Sequence, residues 1–393
     1  MSHTRPDATR AHGSFSVLSV LRKSFSKWTS AAAVCGALTM PTSLSASSLT
    51  FLTNDAAYTT GSLVIGAPIA GPLTPDVNNP NRLFVAVGSF GAMSVLSVDK
   101  TLGTTTTVTP TFGSIGGLAS LSNGDLVIVD NFFPQTILRA RDLDSNGAFT
   151  EVGEIAEIIV PAFVDGPFGF SGAQAIVAPP GNPSAIPSGS LLVQTADGSG
   201  RGEVLVITDP QTSGSSSYLP LSGQPFVDGL DFNGGIAFDS QGNLIVGSSA
   251  FPNPGRIFAA VNSNGDDRIT TPSELNLLLG GPALADGASD LAVTADDRVI
   301  QVNGSGVVRQ FALPANRLTG QAGPVTTLAE LDSPFLSAVV LDPPTASFIP
   351  GGSGPKARLW IAGTGPLFSQ TRNLLWMEPG NLPSSIQDWA LYE

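Results

Sequence analysis

Phe226 to Phe251 reads FVDGLDFNGGIAFDSQGNLIVGSSAF. An acidic lead-in is followed by a short apolar run at Gly235 to Phe238, a turn over Asp239 to Asn243, and a second apolar run at Leu244 to Gly247. Runs this short, rich in Ile, Val and Phe and separated by Asp, Ser, Gly and Asn, predict two antiparallel strands joined by a tight turn.

The same plan recurs along the chain. It is seen in Asn81 to Asp99, Gly124 to Asp144, Gly189 to Asp209, Gly242 to Asn262, Asp297 to Leu313 and Ala357 to Pro379. A further apolar strand precedes most of these: GGLASL at Gly116 to Leu121, AQAIVA at Ala173 to Ala178, GGIAFD at Gly234 to Asp239, SDLAVT at Ser289 to Thr294 and LSAVVLD at Leu336 to Asp342. The repeat length is about 55 residues, slightly beyond the span usual for propeller blades. A sheet of three or four short strands cannot bury both of its faces alone. Stacking such sheets radially about an axis buries both and leaves few edges. The expected fold is therefore an all-β, six-bladed β-propeller over residues 47–393, with five and seven blades as the neighbouring counts. Its ring is expected to close by pairing Leu49 to Thr53 with Gln387 to Tyr392.

Composition agrees. Charged residues make up 12%, and there are 44 Gly and 31 Pro beside 42% hydrophobic residues, a balance that suits tight turns between buried strands. The formal charge of −13 and the scattering of 18 Lys and Arg exclude a nucleic-acid partner, which would require clustered cations. Residues 1–46 read as an export signal. They hold a basic start (Arg5, Arg10, Arg22, Lys23, Lys27), an apolar core at Ala31 to Met40 and small residues from Ser43 to Ser48. The expectation is an exported chain, whether secreted, periplasmic or in the cell envelope. No later stretch has the ~20 apolar residues that a membrane helix requires, and the chain is read as a monomer. His3, His12 and Cys35 all lie in that leader, so the remainder has neither histidine nor cysteine. Ser-His-Asp and Cys nucleophile chemistry, and zinc or haem sites built on His or Cys, are thereby excluded.

Two excursions interrupt the plan, at 142–154 and 262–280. The first carries Asp142, Asp144, Asn146, Glu151 and Glu154, and the second Asn262, Asn264, Asp266 and Glu274. Oxygen-bearing side chains at alternate positions, an apolar residue two beyond the sixth (Phe149, Ile269) and a closing glutamate suit a Ca²⁺ loop. Both resemble EF-hand or dockerin loops, with the glutamate one place late. The second also has Asn262 where Asp is usual and Asp267 where Gly is usual. The resemblance implies structural calcium, and ordinary polar turns are the competing reading.

An acidic step also recurs before inner strands: Asp165-Gly166, Asp228-Gly229 and Asp286-Gly287. With Asp231, Asn233 and Asp290 these side chains would gather at one mouth of a propeller channel, as a cation or polar-ligand site. Asp-Gly is equally a plain turn former, each Asp bonding its own backbone.

The pattern around GIAFDSQGNLIV resembles NHL-type repeats and the propellers of the gluconolactonase and senescence marker family, at blade level over Gly116 to Leu313. That family holds a divalent ion with a Glu, two Asn and an Asp. Asn233 in FNGGIAF matches one asparagine and Asp290 in SDLAVT matches the aspartate. No glutamate lies between Ser47 and Thr150 to supply the early ligand, and the other asparagine has no counterpart. Three functions follow as expectations. The first is a noncatalytic module binding a protein, glycan or surface ligand, with calcium-stiffened loops. The second is a metal-dependent lactonase or hydrolase using Asp228, Asn233 and Asp290, and the third an envelope or matrix component. The incomplete catalytic set weighs against the enzyme.

Overall fold

The computed structural model describes residues 48–131, 136–159, 174–183, 186–196, 202–211, 218–219, 226–232, 234–249, 254–266, 268–270, 273–351, 355–364 and 370–380. All belong to one compact unit, Ala46–Glu393.

Two strands open the chain, β1 (Phe51–Asn54) and β2 (Tyr58–Val64). Blade 1 follows as β3 (Ile69–Pro75), β4 (Arg82–Ser89), β5 (Ala92–Asp99) and β6 (Thr105–Thr107), and blade 2 as β7 (Ile115–Ser120), β8 (Leu126–Asp130), β9 (Thr136–Ala140) and β10 (Ile155–Ile159). Blade 3 holds β11 (Gln174–Val177), β12 (Leu191–Ala196) and β13 (Gly202–Ile207), with β14 (Tyr218–Leu219) and β15 (Val227–Leu230) sharing the outer edge of β13. Blade 4 is β16 (Ile236–Phe238), β17 (Leu244–Ser248), β18 (Arg256–Ala260) and β19 (Leu275–Gly280). Blade 5 is β20 (Asp290–Val293), β21 (Arg298–Val302), β22 (Val307–Ala312) and β23 (Thr326–Leu331), and blade 6 is β24 (Leu336–Asp342), β25 (Arg358–Gly363) and β26 (Asn373–Pro379). The first strand of each blade touches that of the next all the way round, so the chain is a six-bladed β-propeller.

The opening stretch contains β16 and β17, the two inner strands of blade 4, paired Ile236↔Val246 and Phe238↔Leu244. Its apolar runs are continuous because both faces of every blade are covered. Alternate side chains point to opposite faces of a strand, and in β4 Leu83, Val85 and Val87 pack toward blade 6 while Phe84 and Ala86 pack toward blade 2. The core is accordingly divided into six apolar clusters, one in each junction between blades.

Ring closure departs from the expectation. The Leu49 region feeds β1, which adds a fifth strand to blade 5 on β23, with Asn54 opposite Ala329. The closing strand is β2, laid antiparallel along β26 from Tyr58↔Pro379 to Val64↔Asn373 as the outer strand of blade 6. The expected partner, Gln387 to Tyr392, lies outside the described residues. An outer strand has one solvated face, and the alternating YTTGSLV does not read as core. Gly61 is required there, since a Cβ at that position would lie 2.3 Å from the Trp376 ring.

Candidate functional site

The six inner strands enclose a channel of ≈ 1860 Å³ that runs along the propeller axis. Its two ends differ in chemistry. At one end the turns that leave the inner strands carry carboxylates, each tied to a cation. Asp76 accepts from Arg82 Nε at 2.5 Å and from the Asn78 amide at 2.9 Å. Asp125 accepts from Arg141 Nε at 2.9 Å and Nη2 at 2.6 Å. Asp239 accepts from Arg317 Nε at 2.6 Å, and the same guanidinium reaches Asp297 at 2.7 Å, joining the turns of blades 4 and 5. Asp342 of blade 6 pairs with Lys100 of blade 1 across the ring closure. Burial of such pairs is tolerated because each charge has a partner and further hydrogen bonds.

The opposite mouth is formed by residues leading into the inner strands, Ser114, Phe232, Ser289 and Phe335, and by the turns bearing Phe90, Asn131 and Ser249. Among the described residues these side chains are apolar, hydroxyl or amide. Asp130 is turned to structure here, accepting the Ser114 amide at 2.9 Å.

Of the expected mouth cluster, the four described residues do not converge. Asp290 lines the channel at the start of β20, 7% exposed, with Oδ1 accepting the Leu291 amide at 2.6 Å and Oδ2 the Val339 amide of β24 at 2.8 Å. Asp228 precedes the inner strand β16 in sequence but does not stand at its entrance. It lies within β15 on the outer edge of blade 3, because the flanking Val227 and Leu230 are buried and pair with β13, and its Oδ1 accepts the Gly229 amide. Asp231 is ion-paired with Arg256. Asp286 accepts from Ser305 Oγ at 2.9 Å and pairs with Arg309 at 3.1 Å; the Ser305 hydroxyl and then the guanidinium hold its carboxyl below the usual range. Asp228, Asp231 and Asp286 are not among the channel-lining residues. Gly229 and Gly287 both have φ of +83°, as the Asp-Gly turn reading requires. Asp165 and Asn233 lie outside the described residues. The turn-end carboxylates were missed by sequence reasoning, although an Asp after five of the six inner strands was a visible signal.

The excursions sit at equivalent places, between the third and fourth strands of blades 2 and 4, and the second ends at Glu274 instead of 280 because Leu275–Gly280 form β19. In the first, one carboxylate oxygen from each of Asp142, Asp144 and Glu154 lies within 4.8 Å of the others. Backbone amides orient them: Asp142 accepts from Asn146 (3.1 Å) and Gly147 (2.8 Å), and Asp144 from Asn146 (3.1 Å). Glu154, 1% exposed, accepts from Leu143 (2.9 Å) and Glu151 (2.8 Å). Asn146 bonds Asp144 and the Ala148 amide, and the Glu151 carboxylate stands outside the triad. Carboxylate oxygens have two lone-pair directions, so these bonds leave acceptor capacity for a cation.

The second excursion repeats the turn chemistry with fewer charges. Asn262 accepts the Gly265 amide at 2.9 Å, Asn264 the Asp266 amide at 2.8 Å and Asp266 the Arg268 amide at 2.8 Å, while Glu274 is 1% exposed. Each excursion also stitches its blade to the one before. Phe149 donates its amide to Val108 O of blade 1 at 2.6 Å and sets its ring 6.1 Å from Phe84, and Ile269 donates to Phe226 O of blade 3 at 2.7 Å. Both apolar side chains are buried in the junction they bridge.

No family model matches this chain, and no curated protein matches it. Among solved structures it is similar to the PQQ-bound aldose sugar dehydrogenase of Streptomyces coelicolor, with a TM-score of 0.58, 15% identity and coverage of 83% of this chain and 99% of that one. It is also similar to the PQQ domain of Coprinopsis cinerea pyranose dehydrogenase, with a TM-score of 0.57, 10% identity and coverage of 85% and 99%. A third likeness is to the calcium-binding protein regucalcin of Agrobacterium tumefaciens, with a TM-score of 0.50, 12% identity and coverage of 81% and 95%. What these likenesses share with the chain is the fold. Propellers with enzymatic and with binding roles have the same frame, so function must come from the side chains.

Proposed function

We propose that this chain is an exported β-propeller that acts as a noncatalytic binding module, stiffened by a calcium ion at Asp142, Asp144 and Glu154. The observation that carries the noncatalytic part is the commitment of the channel carboxylates. Asp76, Asp239 and Asp342 neutralise Arg82, Arg317 and Lys100, and Asp290 orients the Leu291 and Val339 amides of two adjacent inner strands. A general base or metal ligand needs a carboxylate placed for the reacting atoms, and these are placed for the fold.

The described channel lining offers the cofactor of the two dehydrogenases no counter-charge. PQQ carries three carboxylates, and no Lys, Arg or His is among the described residues that line the channel. Three converging carboxylates held by loop amides suit a hard cation with oxygen ligands, which supports calcium at the first excursion. Export rests on the basic and apolar leader within residues 1–46. No helix among the described residues is long and apolar enough to cross a membrane.

The test is a lactone hydrolysis assay on the purified chain with Ca²⁺, Mg²⁺, Mn²⁺ and Zn²⁺ in turn. No turnover is expected with any of them. Turnover that disappears in Asp290→Ala would replace the binding module with a hydrolase.

A further inference from the structure

The channel walls, more than the loops, specify a ligand class. Around the axis the lining is built from the inner strands, whose Ile176, Phe238 and Val340 are only half-buried there. These side chains are covered on one side by the neighbouring blade and turn the other toward the channel. At the mouth opposite the ion pairs, Phe90 is 69% and Phe335 39% exposed, and Phe232 and Met93 complete an apolar rim.

Charge narrows the choice. Among the described residues no cation lines the channel, so an anionic ligand would find no positive partner there. Three of the channel carboxylates are already neutralised by Arg82, Arg317 and Lys100, so a cationic ligand would compete with those partners. Apolar surface is the remaining source of affinity.

We propose that the channel binds an uncharged small molecule with extended apolar, aromatic surface, admitted past Phe90, Phe232 and Phe335. This rests on the binding-module reading and adds the chemical class of the ligand and the mouth it uses.

N-phenyl-1-naphthylamine and 1-anilinonaphthalene-8-sulfonate share one ring system and differ by a sulfonate, which makes them a matched pair of fluorescent probes. Titration into the full chain should show saturable binding of one neutral probe per chain, and binding of the sulfonate weaker by about tenfold or more. Phe90→Ser with Phe335→Ser changes only exposed rim side chains and should weaken the neutral probe by about tenfold. Ser337→Trp, which fills the wall, should abolish binding while circular dichroism and the melting temperature show a folded chain. Non-saturable uptake, equal affinity for the two probes, or indifference to both variants would overturn the proposal. A folded chain that takes up no probe and hydrolyses no lactone would reject the ligand class and leave the noncatalytic reading in place. Lactone turnover would remove that reading itself.

Discussion

The excursions at 142–154 and 262–274 have the same frame and different charge. Each leaves the third strand of its blade, folds on amide bonds to Asp and Asn side chains, and buries one apolar residue against the preceding blade. In the first, three carboxylates converge. The second places the amides Asn262 and Asn264 where the first has Asp142 and Asp144, and among the described residues it forms no acidic triad. Asn264 accepts the amide two residues on as Asp144 does, whereas Asn262 accepts Gly265 and Asp142 accepts Asn146 and Gly147, so the two turns share one of these bonds and differ in the other. On the calcium reading proposed above, charge decides which excursion would hold the ion, and the buried apolar residue decides how the loop is attached.

The strongest way to break this comparison is to remove the attachments. Phe149→Ala should cost about 3 to 5 kcal/mol and Ile269→Ala about 2 to 5 kcal/mol in denaturant unfolding, as buried side chains truncated in a packed junction do. A loss below about 1 kcal/mol at either site would mean that the excursions are not anchored alike.

Calcium gives the next largest effect. At a hundredfold excess over its dissociation constant it should stabilise the chain by about 2.7 kcal/mol, seen as a rise in melting temperature. Asp144→Asn should erase that rise with little change in the calcium-free chain, because Asn keeps an oxygen for the Asn146 amide. A rise that survives the substitution would place the ion elsewhere.

The converse change sharpens the contrast. Asn262→Asp with Asn264→Asp should give the second excursion a calcium site weaker than the first, detectable as a second, smaller thermal shift. No gain would show that the backbones of the two excursions differ more than their hydrogen bonds suggest.

The smallest effect belongs to an exposed charge pair. Asp286 has a lowered carboxyl pKa in the folded chain, so its contribution is present at neutral pH and disappears as the pH falls through that value. Being exposed, the pair is worth only about 0.2 to 1 kcal/mol. Asp286→Asn should narrow the difference in melting temperature between neutral and acid pH slightly. A change as large as that of Phe149→Ala would contradict the view that buried attachments, and not exposed charge, secure these loops.

Much of the fold was legible because strands packed on both faces announce themselves as apolar runs. Leu83, Leu126, Leu191, Leu244, Val299 and Leu359 each begin or fall at the start of a second strand. The inner strand β3 was not legible, since Gly71 and Pro72 make IAGPLTP read as loop, and its register with β4 shifts between Ile69 and Leu73. The closing strand β2 was hidden by its polar, solvated face. At the site, alternation of Asp and Asn exposed the first excursion. It could not expose ion pairs such as Arg317 with Asp239, whose partners are 78 residues apart and meet only when the ring is built. The Asp-Gly steps pointed to the wrong place for Asp228 because a turn signal does not distinguish an outer edge from a channel mouth.

The charge distinction between the excursions is tested most directly by isothermal titration of Ca²⁺ into the chelator-stripped chain. We expect one ion per chain, with binding abolished in Asp144→Asn and Glu154→Gln and unchanged in Asp266→Asn. No heat up to millimolar Ca²⁺, or binding that persists without Asp144 and Glu154, would contradict it.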